Sequence, residues 1–187
     1  MKPHSNYCPD ARMSVLMASV GADARRGMRD LEAMLQEYPQ DARLHFLKGS
    51  LLAGEQDYSD ARISMRQAVD LAPNFHVARF QLGFLLLTSG EPLGAQEAWG
   101  PLHALPDDNY LHLFVRGLSH LIRDEFGETI KLLQTGIARN TENPAMNRDM
   151  ELILEKIRNQ PDPGRRDDAR TSSVDFLLQQ AALKPRH

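Results

Sequence analysis

The 187-residue chain has little cysteine and no long apolar run. Cys8 is the only cysteine, so no intrachain disulfide can form, and this usage fits a reducing compartment. The strongest apolar run, residues 82–87, is far shorter than the roughly 20 residues that a membrane-spanning helix needs. The start of the chain lacks the continuous apolar stretch of a signal peptide. We therefore expect a cytoplasmic protein that does not insert into a membrane.

Neither sign of charge is in strong excess. The formal net charge is −3 at pH 7, with 22 Lys and Arg against 25 Asp and Glu. Nucleic-acid-binding domains carry clustered positive charge. We therefore expect no nucleic-acid partner.

The residue patterns of metal, phosphate and catalytic sites are missing as well. His112 and His120 are eight residues apart and no cysteine accompanies them or His103, so we interpret these histidines as solvated or hydrogen-bonded side chains. The stretch GEPLG at residues 90–94 lacks the lysine and Ser/Thr of a phosphate-binding loop. We expect no catalytic residue, no metal site and no cofactor, and hence no enzyme activity.

What the chain does contain is a repeat. Gly49, Gly83 and Gly117 are equally spaced along the sequence. The same step, which we call the repeat period, links Phe46, Phe80 and Phe114; Tyr58, Pro92 and Phe126; Ala61, Ala95 and Thr129; and Met65, Trp99 and Leu133. Several columns in one register indicate a structural unit that is used three times.

The repeat period of about 34 residues and these columns resemble the tetratricopeptide repeat (TPR) family, whose unit is a helix–turn–helix. The family motif has a small residue at position 8, where the three glycines stand, and a large apolar residue at position 24, where Met65, Trp99 and Leu133 stand. The third repeat departs from the motif, because Thr129 and Gly136 replace its two alanines. The resemblance implies an all-α solenoid of antiparallel helix pairs.

The repeat and the helical spacing divide the chain into five parts. Residues 1–40 are expected to form an N-terminal helical cap or divergent repeat, with Val15 where the motif wants a small residue. Residues 41–144 hold three TPR-like repeats, at 41–74, 75–107 and 108–144. A capping helix at 145–160 and a flexible linker at 161–171 follow. Residues 172–187 form an amphipathic C-terminal helix and tail, with Val174, Leu177, Leu178 and Ala181 on its apolar face.

Caps and helix breakers predict where the helices begin and end. We expect residues 1–9 to be frayed, a break at Gly21 and a helix stop at Gly90. The outer helices of the repeats are expected near 59–71, 92–105 and 127–140, and the last helix near 144–159. The expected N-caps are Asp10, Asp41, Asn74 and Asn109.

The resemblance also implies a concave groove lined by the inner helix of each repeat. The motif register places these residues in the groove: Phe46, Ser50, Val77, Phe80, Phe84, Leu87, Leu111, Phe114, Leu118 and Leu121. This mostly apolar set suits an amphipathic helix or an apolar peptide. The other interpretation is that the three phenylalanines pack between successive inner helices.

We interpret the chain as a non-catalytic adaptor or scaffold that binds a protein partner in this groove. One alternative is a bacterial secretion or assembly chaperone, a class that three-repeat arrays resemble in architecture. Another is an accessory subunit of an enzyme complex. Three occupants can cover the groove: a partner, the chain's own C-terminal helix as a regulator, or the C-terminal helix of a second copy in a homodimer.

Overall fold

The structure, a computed structural model, describes residues 7–159. Within that range it contains nine α-helices, one short 3₁₀ helix and no strand, which confirms the predicted all-α class. The helices are α1 (Asp10–Ala22), α2 (Ala24–Glu37), α3 (Ala42–Gly54), α4 (Tyr58–Leu71), α5 (His76–Thr88), α6 (Pro92–Trp99), α7 (Tyr110–Ile122), α8 (Phe126–Arg139) and α9 (Pro144–Arg158). The predicted linker at 161–171 and the C-terminal helix at 172–187 lie outside the described residues.

The helix starts follow the repeat period of the sequence. The outer helices α2, α4, α6 and α8 begin at Ala24, Tyr58, Pro92 and Phe126, each one period after the one before. The helices α3, α5, α7 and α9 begin at Ala42, His76, Tyr110 and Pro144, again one period apart. The period of the sequence is therefore also a period of the backbone.

Some predicted helix ends are wrong. Asp10 is the first residue of α1 rather than its N-cap, which is Pro9, and Gly21 does not break α1, which continues to Ala22. Helix α5 begins two residues after Asn74, at His76. The predictions for Asp41 and Asn109 are confirmed, because each side chain accepts a hydrogen bond from a backbone N–H of the first helical turn.

The outer helix of the second repeat ends earlier than the sequence predicted. The α-helix α6 stops at Trp99 and continues as a 3₁₀ helix, Gly100–Ala104. Pro101 has no N–H to donate to the preceding turn, and Gly100 has a low helix propensity. The change of helix type follows from these two residues.

Each inner helix is joined to the next outer helix by the same left-handed turn. Gln56, Gly90 and Asp124 have φ angles of 67°, 81° and 58°, and they stand one repeat period apart. The residue after each of them, Asp57, Glu91 or Glu125, donates its backbone N–H to a carbonyl five residues earlier. This is the hydrogen-bond pattern of a Schellman motif. The expected stop at Gly90 is confirmed, and two non-glycine residues adopt the same conformation.

The described chain divides into two compact units, one ending at Leu82 and the other beginning at Gly83. In the first unit α1 packs on α2, α2 on α3, and α3 on α4. Its N-terminal part has a core of Cys8, Leu16, Leu31, Met34 and Leu44. The segment before α1 is therefore packed against the core from Cys8 onward, and the expectation of a frayed stretch is wrong for that residue.

The N-terminal helix pair achieves its close contact in another way than the repeats do. Val15, at the position where the motif wants a small residue, is 72% exposed. The close approach is at Gly27 on α2, where an added Cβ would lie 2.5 Å from the Cα of Val20. Gly27 stands one repeat period before Ala61, a small-residue position of the motif. The pair thus keeps one of the family's small residues but not the other.

In the second unit α6 packs on α7, α7 on α8, and α8 on α9. Helix α9 buries Met146, Met150, Ile153, Leu154 and Ile157. Its opposite face exposes Glu151, Glu155 and Arg158, so this helix has a charged outer face. Asn140 is buried and links the end of α8 to the start of α9. Its side-chain amide donates to Asn147 Oδ1, and its backbone carbonyl accepts from the side-chain amide of Asn147.

Candidate functional site

The close contacts between inner and outer helices occur where the family motif places them. An added Cβ at Gly49 would lie 2.6 Å from Met65 Cγ, and one at Gly117 would lie 2.8 Å from Leu133 Cδ2. At Gly83 it would lie 2.5 Å from Trp99 Cδ1 and closer still to the indole nitrogen. Motif position 8 therefore meets position 24 in all three repeats, and this packing fixes how the inner helices present their other side chains.

In the first unit, the predicted groove residues differ in exposure. Phe46 and Val77 are half-buried and Ser50 is exposed, whereas Phe80 is completely buried. The ring of Phe46 packs edge-on against Phe75, with 5.1 Å between the ring centroids. Ser50 Oγ donates to the carbonyl of Phe46, 3.0 Å away. Three of these four side chains keep some surface that a partner can contact.

In the second unit, the predicted groove residues are mostly core. Phe84 is half-buried, while Leu87, Leu111, Phe114, Leu118 and Leu121 are buried. Those five side chains therefore offer a partner little accessible surface. These five are core side chains in the structure.

The burial of Phe114 has a local cause. An added Cβ at Gly136 on α8 would lie 2.5 Å from two atoms of the Phe114 ring. The ring therefore occupies the space that an alanine methyl group would fill in the family motif. Tyr110 packs edge-on against the same ring, with 5.9 Å between centroids. The departure of the third repeat from the motif is compensated by an aromatic side chain of the inner helix.

A cluster of charged groups, which we call the Asp41 clasp, holds the N-terminal segment to the start of α3. Asp41 is 1% exposed and accepts hydrogen bonds from the backbone N–H of Cys8 at 2.9 Å and from the Arg43 side chain at 2.8 and 3.0 Å. Arg43 also donates to Asp10 Oδ1 at 2.7 Å and to the Cys8 carbonyl at 2.6 Å. Sequence reasoning identified Asp41 as a helix cap and missed this second role, which depends on a contact between residues far apart in the chain.

The clasp sets the ionisation of its members. Burial alone would raise the pKa of Asp41, but the hydrogen bonds from Arg43 and from the Cys8 N–H outweigh it, so the pKa lies below its usual value. The pKa of the Cys8 thiol is raised, mainly because burial disfavours the thiolate. Cys8 is therefore a packed side chain and a poor nucleophile at neutral pH.

An open cavity of about 1000 Å³ lies beside the clasp. Besides the clasp residues, it is lined by Tyr7, Pro9, Ala42, Ala72, Pro73, Asn74 and Phe75. Arg43 is already engaged by Asp10, Asp41 and the Cys8 carbonyl, so it offers little to an anionic ligand. The cavity is a mostly apolar surface depression. At its edge lie Asp41 and Arg43, which are already paired with each other.

The histidines do not assemble into a metal centre within residues 7–159, where no group of three or more His, Cys, Asp or Glu side chains could hold an ion. His112 is buried, and its Nδ1 lies 2.8 Å from the carbonyl of Leu105. His103 packs edge-on against it at 6.1 Å, and burial together with His112 lowers the pKa of His103. His112 is thus a packed, hydrogen-bonded side chain, and His103 lies against its ring.

Comparisons with known proteins identify similar folds but no sequence relative. Neither a protein-family model nor a curated protein sequence matches the chain. The chain is similar to the solved structure of MamA, residues 41 to the end, from Desulfovibrio magneticus RS-1, with a TM-score of 0.57, 15% identity, and coverage of 81% of this chain and 97% of that one. It is also similar to a MamA RS-1 ArsTM double mutant, with a TM-score of 0.58, 17% identity, and coverage of 92% and 93%.

These similarities confirm the fold class, an all-α TPR-like solenoid of antiparallel helix pairs. No helix within the described residues is both long and apolar enough to cross a membrane. The apolar residues predicted for the C-terminal helix, Val174, Leu177, Leu178 and Ala181, lie outside the described residues.

Proposed function

We propose that this protein is a non-catalytic interaction module that binds an amphipathic helix or apolar peptide of a partner protein on its inner helices. The observation that carries the proposal is the partial exposure of apolar side chains at the family's binding positions. Phe46 and Val77 in the first unit and Phe84 in the second keep accessible surface, whereas most other apolar inner-helix residues are buried. A partner's apolar surface would bury the exposed part of such side chains further, which is favourable.

The fold supports this class of function. Stacked helix pairs present inner-helix side chains in a row, and a helix or extended peptide can be held by contacts along that row. Ser50 is exposed beside Phe46, so the contact surface in the first unit is apolar with a polar edge. This composition suits an amphipathic helix, which has one apolar face and a polar border.

The C-terminal segment supplies a second part of the proposal. Residues 172–183 carry an amphipathic pattern with Val174, Leu177, Leu178 and Ala181 on one face. The segment competes with the partner for the inner helices, so it regulates access to them. The alternatives are a chaperone for a secreted or assembling protein and an accessory subunit of an enzyme complex, and the identity of the captured partner separates them from an adaptor.

The test begins with capture of partners from the native host by full-length chain and identification by mass spectrometry. Binding of the captured partner is then measured with two inner-helix variants, Ser50→Glu and Phe84→Glu. Ser50→Glu places a charge on an exposed site and leaves the core intact. The matched control is Leu93→Glu on α6, because Leu93 is 81% exposed and is not an inner-helix residue.

We expect each inner-helix variant to weaken binding by at least about tenfold, which corresponds to about 1.4 kcal/mol, with no change in Leu93→Glu. Leu177→Glu should strengthen binding, because it removes the competing segment. Binding that is unchanged in both folded inner-helix variants would place the partner on another surface.

A further inference from the structure

The link between α6 and α7 differs from the other links that join an outer helix to the next inner helix within residues 7–159. Residues 38–41, 72–75 and 140–143 form short turns, whereas residues 100–109, which we call the α6–α7 junction, include the 3₁₀ helix Gly100–Ala104. Leu102 in this 3₁₀ helix is completely buried, and the segment packs on α7. The junction is therefore a folded part of the second unit.

Two histidines hold the junction against α7. His112 on α7 is 6% exposed, and its Nδ1 lies 2.8 Å from the carbonyl oxygen of Leu105 in the junction. Because a carbonyl oxygen can only accept, this nitrogen carries the hydrogen. The ring of His103 packs edge-on against the His112 ring, with 6.1 Å between the ring centroids. The His112 ring thus contacts the junction at two places.

The surroundings of His103 disfavour a positive charge on its ring. Burial, the neighbouring His112 and then Arg116 lower the pKa of His103. A proton added to His112 would go to Nε2, which lies 3.8 Å from Asp107 Oδ1. The Asp107 side chain is 95% exposed, so water screens its attraction. Two protonated rings in contact would therefore repel each other with little compensation.

The remaining charged groups on the elements around the pair are exposed or engaged elsewhere. His120, further along α7, bonds Glu125. The other charged side chains of α6, the junction and α8 are Glu97, which is exposed, the Asp108–Arg139 pair at 3.9 Å and the Glu128–Lys131 pair at 3.7 Å. The charge state of the junction near neutral pH is therefore set by the two histidines, with Asp107 and Arg116 as their charged neighbours.

We propose that the α6–α7 junction is an acid-sensitive latch, closed by the contact of neutral His103 with His112 and released when both rings are protonated. The inference is independent of the function proposed for the inner helices. When the junction opens, the two rings separate and become hydrated, so the open state binds protons more tightly. Opening also exposes Leu102, which keeps the latch closed at neutral pH.

The pH range of the response follows from the direction of the His103 shift. Because the pKa of His103 is lower in the folded chain than its ordinary value near 6.5, the latch has its full stability above that pH. The stability is lost as the pH falls below the ordinary value and through the folded one. Carboxylates with ordinary or depressed pKa values titrate at lower pH, so a response between pH 7.5 and pH 5.5 belongs to histidine.

Amide hydrogen exchange on the full-length chain, measured by mass spectrometry at pH 7.5 and pH 5.5 and corrected for intrinsic exchange rates, tests the proposal. We expect peptides that cover residues 100–109 to lose protection at the lower pH, while peptides from α8 keep theirs. His103→Phe keeps an aromatic ring and cannot titrate, so its junction should stay protected at both pH values. His103→Gln removes the ring as well, so its protection should be lower but equal at the two pH values.

The matched control is His45→Gln in the first unit, where His45 Nε2 contacts the carbonyl of Pro39. This variant loses a titrating ring outside the junction and should show the same acid response as the unmodified chain. Equal junction protection at the two pH values in the unmodified chain would overturn the proposal. An acid response that persists in His103→Phe and His103→Gln would also overturn it, because another group would then be responsible.

Discussion

Three glycines decide how closely the inner and outer helices approach. Gly49, Gly83 and Gly117 each leave space that the large side chain at motif position 24 fills. The tightest of these contacts is that of Gly83 with Trp99, which is completely buried. A side chain added at Gly83 must displace Trp99, because protein interiors are close-packed.

Gly83→Ala should destabilise the protein even though alanine favours the helix by about 1 kcal/mol. The new Cβ would overlap the Trp99 indole, with 2.5 Å to its Cδ1, and overpacking of this kind typically costs about 1–3 kcal/mol. Urea unfolding followed by circular dichroism measures the change. Gly94→Ala is the control, because its Cβ would lie 3.7 Å from Leu86, and that variant should be no less stable than the parent.

The Asp41 clasp predicts that substitutions of two arginines differ in their cost to stability. Arg43→Met leaves the buried Asp41 carboxylate without its main partner, which should cost about 1–3 kcal/mol. Arg12→Met removes an ion pair with Glu37 whose side chains are both about half exposed, and exposed pairs contribute less than about 1 kcal/mol. Equal losses of unfolding free energy in the two variants would show that the clasp is no stronger than a surface ion pair.

At the scale of elements, the link from inner to outer helix is the most regular part of the chain. The same left-handed backbone conformation occurs three times, at Gln56, Gly90 and Asp124. Each time the next residue donates its N–H to the carbonyl five residues earlier. Only glycine adopts positive φ without steric cost. The backbone conformation is therefore imposed by the packing of the helix pair, and two side chains tolerate it.

Gln56→Gly should stabilise the protein by about 0.5–1 kcal/mol, because relief of the left-handed strain exceeds the added entropy of the unfolded chain. Asp124→Gly should gain less, since aspartate tolerates this region better than glutamine. Gly90→Ala should lose stability for the same reason. Thermal melts of the three variants test the order, and a loss in Gln56→Gly would mean that its side chain makes a contact worth more than the strain.

The sequence predicts helix positions well because the period is a packing constraint. Each glycine must meet its large partner across a helix pair, so a shift of one residue would break three contacts. Helix ends depend on local geometry, and there the predictions at Asp10, Gly21 and Asn74 are wrong.

Exposure of the candidate site is harder to read from the sequence. Phe46, Phe80 and Phe114 have the same residue type and the same motif position, yet Phe46 is half-buried and the other two are completely buried. Phe114 is covered partly because Gly136, in the outer helix of the same repeat, leaves room for its ring. Such a contact depends on a substitution elsewhere in the repeat. The repeat period predicts which residues share a motif position. It does not predict which other side chains cover them.

At the scale of the whole molecule, stability should fall in acid. The pKa of Asp41 is lower in the folded chain than its usual value near 4. Hydrogen bonds from Arg123 and then His120 lower the pKa of Glu125 to about 2. A carboxylate with a depressed pKa contributes stability above its unfolded pKa and loses it as the pH falls through the folded pKa.

We therefore expect these carboxylates to make the unfolding free energy fall below about pH 4. Urea unfolding at a series of pH values measures the decline. Asp41→Asn should be less stable at neutral pH and should show a shallower decline. A parent curve that rises between pH 5 and pH 3 would contradict the assignment of these carboxylates as stabilising groups.

The chain has one tryptophan and one cysteine, and they report on different halves of it. Trp99 is buried in the second unit and Cys8 in the first, so intrinsic fluorescence follows one unit and thiol labelling follows the other without any engineered probe. If both signals change at the same denaturant concentration, the two units unfold as one cooperative system. If labelling of Cys8 precedes the fluorescence change, the first unit opens while the second stays folded.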